Sequence, residues 1–293
     1  MKYCVLFLAV CAVGFGRLSA QNIQKMDRWQ DSLLHVGRQM FQSPVETERI
    51  ERNFTFVKTL VSALKEPNSF FYTFDKLDMI SVISTPDNSL RIFSWNIPLE
   101  DGSYLYYGTI QHKTPGGKLK LTPLLDKTFE IQNPTEDITP AGKWYGAQYY
   151  DIIPLAKNQF VLLGWKGHHA EYTKKVIDIL NISPSGEVTL GAPVFSDAPK
   201  MVRKIFSYTK DATMYLQFNK KSNSIEFDHI VPASPQLEGN FKYYGPDLTH
   251  DAYEVKGGRL IFKENISLQN AEKEGEGHYI DPLRPSRKLK SGL

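Results

Sequence analysis

Three stretches bring together side chains able to bind ligands or move protons. The first is GWKGHHAE, residues 164–171, with adjacent imidazoles at His168 and His169 and a carboxylate at Glu171. Two imidazoles and a carboxylate are zinc or transition-metal donors if they converge. Neighbouring residues on a strand point to opposite faces, so His168 and His169 converge only in a loop. The apolar runs 159–165 and 174–180 read as strands and leave them in the hairpin loop between. A site there needs a further donor, such as His229 or His250, and the helical His-Glu-x-x-His spacing is absent. The sequence therefore assigns no metal. The second stretch is FDHIVP, where Asp228 and His229 are adjacent on an expected strand and point apart. The third, GPDLTHDAY, gathers Asp247, His250 and Asp251 in an expected turn. Its carboxylates could hold a cation, but the ligand spacing of a calcium loop is missing, and turn chemistry alone explains Asp beside Gly and Pro.

Aromatic residues form a fourth group. Trp95, Trp144 and Trp165 stand at the ends of expected strands, with Tyr145, Tyr149, Tyr150, Tyr243 and Tyr244 nearby. On a rigid β scaffold such rings can present a flat platform to a glycan or a protein. The competing reading packs them in the core or in cross-strand pairs. The candidate ligand-contacting residues are thus Trp95, Trp144, Trp165, His168, His169, Asp247, His250 and Asp251. Neither G-x-S-x-G nor a phosphate-cradling glycine loop occurs, so no catalytic residue is assigned and no cofactor is expected. Glycoside hydrolysis needs only two carboxylates on either side of the scissile bond. Glu100 or Asp101 with Asp151 is one such pairing, and nothing in the sequence favours it over others.

These side chains must be positioned by the elements around them. Lys2 precedes 13 uncharged, mostly apolar residues, Tyr3 to Phe15, and Leu18-Ser19-Ala20 ends with small residues. This is the layout of a secretory signal peptide over 1–20; a lipoprotein signal at Cys11 is the weaker alternative, since Val10 fits that motif poorly. Both cysteines, Cys4 and Cys11, lie within it, so cleavage after Ala20 leaves no disulfide, thiolate metal site or cysteine nucleophile. Removing Lys2 and Arg17 lowers the formal charge from +3 to +1, a balance that does not suggest nucleic acid. No later apolar run suits a transmembrane span.

Met26, Trp29, Leu33, Val36 and Met40 recur at helical spacing, as do Ile50, Phe54, Val57, Leu60 or Val61, and Leu64. Between them Ser43-Pro44-Val45-Glu46 reads as a capping box, and Glu66-Pro67 as a stop. The region 21–67 is expected to be an antiparallel helical pair packed on the sheet. From residue 68 to 270 about a dozen short runs rich in Val, Ile, Phe and Tyr alternate with Pro, Gly, Asn and Asp, the pattern of antiparallel meanders. The chain is expected to be mainly β, propeller-like or a sandwich or barrel. The all-apolar run FVLLGW is expected to be a central strand covered on both faces. SWNIPLEDGSYLYYG and LGWKGHHAEYTKKVI read as two hairpins of similar make. Residues 271–293 form a charged tail.

The segments SVISTPDNSLRIFSW, KWYGAQYYDIIP, FVLLGWKGHHAEYTKKVIDIL and IEFDHIVPASPQLEGNFKYYGPDLTHDAYE resemble a family of exported envelope proteins of Gram-negative bacteria. The likeness covers nearly all of the chain after residue 20. It implies export to the periplasm or beyond, but supplies no activity, cofactor or catalytic residue. One departure stands out: Lys166 follows Trp165 where the resemblance leads one to expect an acidic residue, which weakens a metal or acid role for the loop. The expectation is a non-catalytic binding or assembly component of the cell envelope with a protein or glycan partner. A glycan hydrolase and a metal-dependent protein using His168 and His169 are the alternatives.

Overall fold

A computed structural model describes residues 2–168 and 170–268, with side chains from residue 22 onward; His169 and the expected tail 271–293 lie outside the described residues. Helix α1 (Lys2–Gln42) is followed by α2 (Glu46–Leu64). Met26, Leu33 and Met40 are buried, as their spacing requires. On α2 the buried stripe is Asn53, Phe56, Leu60, Ala63 and Leu64, and Phe54 is exposed. The stripe passes through Phe56 because Asn53 turns inward to accept a 2.8 Å hydrogen bond from Trp95 Nε1. The capping box does not form. Val45 is the N-cap, Ser43 Oγ donates to Glu48 Oε2 at 2.9 Å, and Glu46 Oε2 instead accepts the backbone N–H of Glu100 at 2.6 Å. No helix of the described residues is long and apolar enough to cross a membrane.

Among the described residues fourteen strands come next and form three antiparallel sheets. The first is the meander β1 (Ser81–Ser84), β2 (Leu90–Pro98), β3 (Tyr104–His112) and β4 (Leu121–Leu125). The middle sheet contains β5 (Thr139–Pro140), β6 (Gln148–Ala156), β7 (Gln159–Gly167), β8 (Tyr172–Ile182), β9 (Val188–Leu190) and β10 (Lys204–Thr209). Two short strands share one edge of β8: β10 pairs with Tyr172 to Ile177 and β9 with Leu180 to Ile182. The third sheet is β11 (Leu216–Asn219), β12 (Ser224–Pro232), β13 (Tyr244–Lys256) and β14 (Arg259–Lys263). Gly257 and Gly258, both at positive φ, close its last hairpin, a turn that residues with a Cβ resist.

The layers stack in chain order. Helical Leu33, Phe56 and Leu60 meet Phe93, Trp95 and Ile97 of the first sheet. The other face of that sheet, with Ile92 and Ile110, meets Phe160, Leu162 and Val176 of the middle sheet. Val161, Leu163 and Ile177 face the opposite way, against Leu216, Ile225 and Phe227 of the third sheet. FVLLGW is apolar throughout because β7 is covered on both faces. The sheets stack without closing into a barrel. The run FKYY, 241–244, has the residue types of a strand, but Phe241–Tyr243 form a 3-10 turn that leads into β13.

Candidate functional site

The two similar hairpins meet at one end of the stack. Gly102, in the β2–β3 turn at φ 82°, approaches Ala170 of the β7–β8 turn so closely that a Cβ there would sit 2.9 Å from it. Behind this contact Tyr104 and Trp165 pack edge to face at 5.2 Å, and the Tyr106 hydroxyl donates to Gly167 O at 3.1 Å. Gly167 has no room for a side chain: a Cβ would stand 2.4 Å from both the Trp165 and Tyr104 rings.

A groove of about 580 Å³ opens here. Its floor is set by strand register. Trp165 on β7 pairs with Lys175 on β8, which pairs with Phe206 on β10; two rows on, and so on the same face, Gly167, Thr173 and Tyr208 are aligned. Paired residues share a face of a sheet, so Trp165, Lys175, Thr173 and Tyr208 lie on one surface. Tyr104, Lys210 and Met214 also line the groove, and among the described residues none of the lining is acidic. Lys175 Nζ donates to Met214 O at 2.6 Å, and burial lowers its pKa against the opposing pull of Asp228. The Thr173 hydroxyl is buried and has no hydrogen-bond partner.

The opposite face of the same ribbon is closed. Lys166, paired with Lys174, is buried and donates to Thr128 Oγ1 (2.9 Å), Tyr145 O (2.6 Å) and Gly146 O (2.7 Å). Its ammonium lies over the Tyr106 and Tyr145 rings at 4.6 and 4.5 Å. Burial brings its pKa down to about 7, against the pull of Asp126. This explains a lysine directly after Trp165: it ties β7 to the loop carbonyls beneath. Nearby, Arg203 Nε lies 2.9 Å from Asp178 Oδ1, and Asp178 Oδ2 accepts from the Tyr149 hydroxyl, which accepts from Trp144 Nε1, each at 2.9 Å.

The sequence candidates are therefore scattered. Trp165 lines the groove, with the partly buried His168 beside it, its ring 5.0 Å from that of Tyr172. Trp95 and Trp144 are core residues at 3% and 0% exposure, so the aromatic platform expected to include them does not form. Both are held inside because an indole N–H has a buried partner there. Asp247, His250 and Asp251 lie on β13, not in a separate turn. The reason is that β12 pairs on both sides of the segment, with Ile230 opposite Pro246 and Asp228 opposite His250. Asp247 to Thr249 bulge out between these pairs, with Leu248 at φ 73° and Asp247 Oδ1 accepting from Thr249 N and Oγ1.

Asp228 and His229 do point apart, but each finds a cross-strand partner. Asp228 Oδ1 is 3.0 Å from His250 Nε2, and Asp251 Oδ2 is 3.2 Å from His229 Nδ1. The remaining oxygens accept backbone N–H groups, of Tyr215 at 2.6 Å and of Asn265 at 3.0 Å. Among the described residues no group of three His, Cys, Asp or Glu side chains is placed to hold a metal ion. Sequence reading missed Tyr104, Thr173, Lys175 and Lys210, whose signal was register: with Trp165 on the face, Lys175 and Thr173 are placed there by pairing across the loop. Comparison with family models and with curated proteins finds no match for the chain.

Proposed function

We propose that the protein is a non-catalytic binding component of the bacterial cell envelope, exported to the periplasm or beyond, whose ligand is a glycan taken in the groove at the hairpin tips. Export rests on the charged start, apolar run and small residues of positions 1–20. The observation that carries the binding reading is the groove itself, which sets the Trp165 and Tyr104 rings beside Lys175 and Lys210 and has at its base a Thr173 hydroxyl without a hydrogen-bond partner. A sugar ring offers apolar C–H groups to an aromatic face and hydroxyls to fixed donors, and this surface supplies both. Among the described residues the lining contains no carboxylate, so they do not supply the acid and base that glycoside hydrolysis requires.

The test is titration of the purified chain with neutral and acidic oligosaccharides, followed by calorimetry and tryptophan fluorescence. Saturable binding that weakens in Trp165→Ala and Thr173→Val supports the reading. Absence of binding at millimolar concentration, or equal binding by both variants and the parent, removes it. Release of reducing ends by the parent would instead make it a hydrolase.

A further inference from the structure

A second groove, of about 520 Å³, lies along β10. β10 pairs with β8 on one edge only, and no strand of the described residues pairs with its other edge. Four consecutive residues of it, Lys204 to Ser207, line the groove. The rest of the lining divides by face. Ser207 is the register partner of Lys174, and these lie with Ile205 and Tyr145 on the side toward the first sheet. Phe206 faces the other way with Phe227, Tyr244 and Phe262, toward the third sheet. The void borders both faces of this edge strand, and the 3-10 turn Phe241–Tyr243 packs against β10 beside it without pairing with it as a strand. At about 3.3 Å per residue the open stretch is about 13 Å long.

We infer that the open edge of β10 binds an extended segment of a partner protein as an added strand, with apolar side chains toward Phe206, Tyr244 and Phe262 and an acidic side chain toward Lys174. Edge strands present unpaired N–H and C=O groups that an incoming peptide completes, while alternate side chains supply specificity. The two faces differ in what they ask for. The side toward the third sheet is a bed of aromatic rings, with Lys204 Nζ 5.7–6.0 Å from the centroids of Phe206, Phe227, Tyr253 and Phe262. On the other side Lys174 Nζ has one long hydrogen bond, 3.4 Å to the Tyr145 hydroxyl, and a distant ring contact at 5.9 Å with Tyr172. Burial lowers its pKa to about 8, and a carboxylate beside it would reverse that effect. Asp228 and Asp251, which also border the groove, are already occupied by His250 and His229. The asymmetry selects a segment in which apolar and acidic residues alternate. This surface is separate from the glycan groove and stands whether or not that reading does.

The probe is a fluorescein-labelled peptide, acetyl-Glu-Val-Glu-Val-Glu-Val-amide, added to the full chain and followed by anisotropy and by amide NMR shifts. Saturable binding with shifts at Ile205 to Ser207 is expected. The peptide N-methylated at alternate residues, on the edge that faces β10, should lose it. Lys174→Glu should weaken binding about fivefold, the effect of one partly exposed ion pair, and replacing Glu by Lys in the peptide should restore it. Since Lys174→Glu changes a half-buried position, its fold is checked by circular dichroism, and the N-methylated peptide tests the parent chain without any substitution. The inference is overturned by unchanged affinity of the N-methylated peptide, by shifts confined to the Trp165 groove, or by no binding at millimolar peptide. Concentration-dependent dimerisation that shifts the same β10 amides without peptide would also overturn it, by assigning the edge to a second copy of the chain.

Discussion

Lys166 and Lys175 lie on neighbouring strands of one ribbon, one register row apart, and face opposite ways. Lys166 spends all three N–H donors on fixed oxygens in the interior, between two aromatic rings. Lys175 spends one on Met214 O and opens onto a groove beside a hydroxyl that has no partner. Residue type and sequence neighbourhood are nearly the same; what differs is hydrogen-bonding capacity left over after folding. A cation whose donors are all satisfied holds structure, whereas one with donors to spare beside an aromatic face can recognise a ligand.

The largest effect expected from breaking this contrast is at the saturated side. Lys166→Met keeps the length of the side chain but strands the carbonyls of Tyr145 and Gly146, and should lower unfolding free energy by about 3–5 kcal/mol in urea denaturation. The parent should also show the lysine in its pH dependence. With its folded pKa near 7 and an unfolded value near 10.5, the unfolded chain holds a proton that the folded chain lacks between those limits. Stability from this group therefore rises from about pH 7 to pH 10, by on the order of a few kcal/mol, and is flat below 7 where both states are protonated. Lys174, lowered to about 8, adds a smaller rise over pH 8 to 10. Denaturation midpoints across pH 6–10 should rise in the parent and less in Lys166→Met; equal profiles would separate the burial of Lys166 from its titration.

The groove side should respond in binding more than in stability. Gly167→Ala drives a methyl into the Trp165 and Tyr104 rings, where a Cβ meets carbon at 2.4 Å. It should cost about 1–3 kcal/mol of stability and remove saccharide binding by displacing the ring. Trp165→Ala should leave the melting temperature nearer the parent's and weaken saccharide affinity about tenfold, roughly 1.4 kcal/mol. If Gly167→Ala binds normally, the ring pair is not the recognition surface.

The architecture was legible to the extent that periodicity carries it. Alternation in TMYLQF (213–218) and the unbroken run FVLLGW suggest a one-sided and a two-sided strand. β7 does feed two separate cores, whereas the strand in TMYLQF starts only at Leu216, although Met214 and Leu216 are buried beside exposed Gln217. Which aromatic residues stay outside was not legible. Trp95 and Trp144 differ from Trp165 in having an acceptor, Asn53 and the Tyr149 hydroxyl, delivered from 42 and 5 residues away. Only the folded chain shows those partners. The groove escaped for a related reason: Thr173, Lys175 and Lys210 are ordinary residue types that acquire meaning through pairing with Trp165 and Tyr208.

The smallest expected effect concerns the histidines that first draw the eye. His168 lies just past the end of β7, partly buried, with its ring against Tyr172. A metal role requires further donors, and among the described residues no cluster of three candidate ligands exists. The paired substitution His168→Ala/His169→Ala should therefore lower unfolding free energy by no more than about 1 kcal/mol, the typical cost of one lost side-chain contact, here that of the His168 ring with Tyr172. Zinc or nickel should move the melting temperature of parent and variant equally. The same variant should retain most of the saccharide affinity that Trp165→Ala loses, because the groove floor is built by register rows on the sheet and not by the loop beyond them. A zinc-induced rise in melting temperature present in the parent and lost in the variant would place a metal at the His168–His169 pair, and would move the recognition surface from the floor of the groove to the loop beyond it.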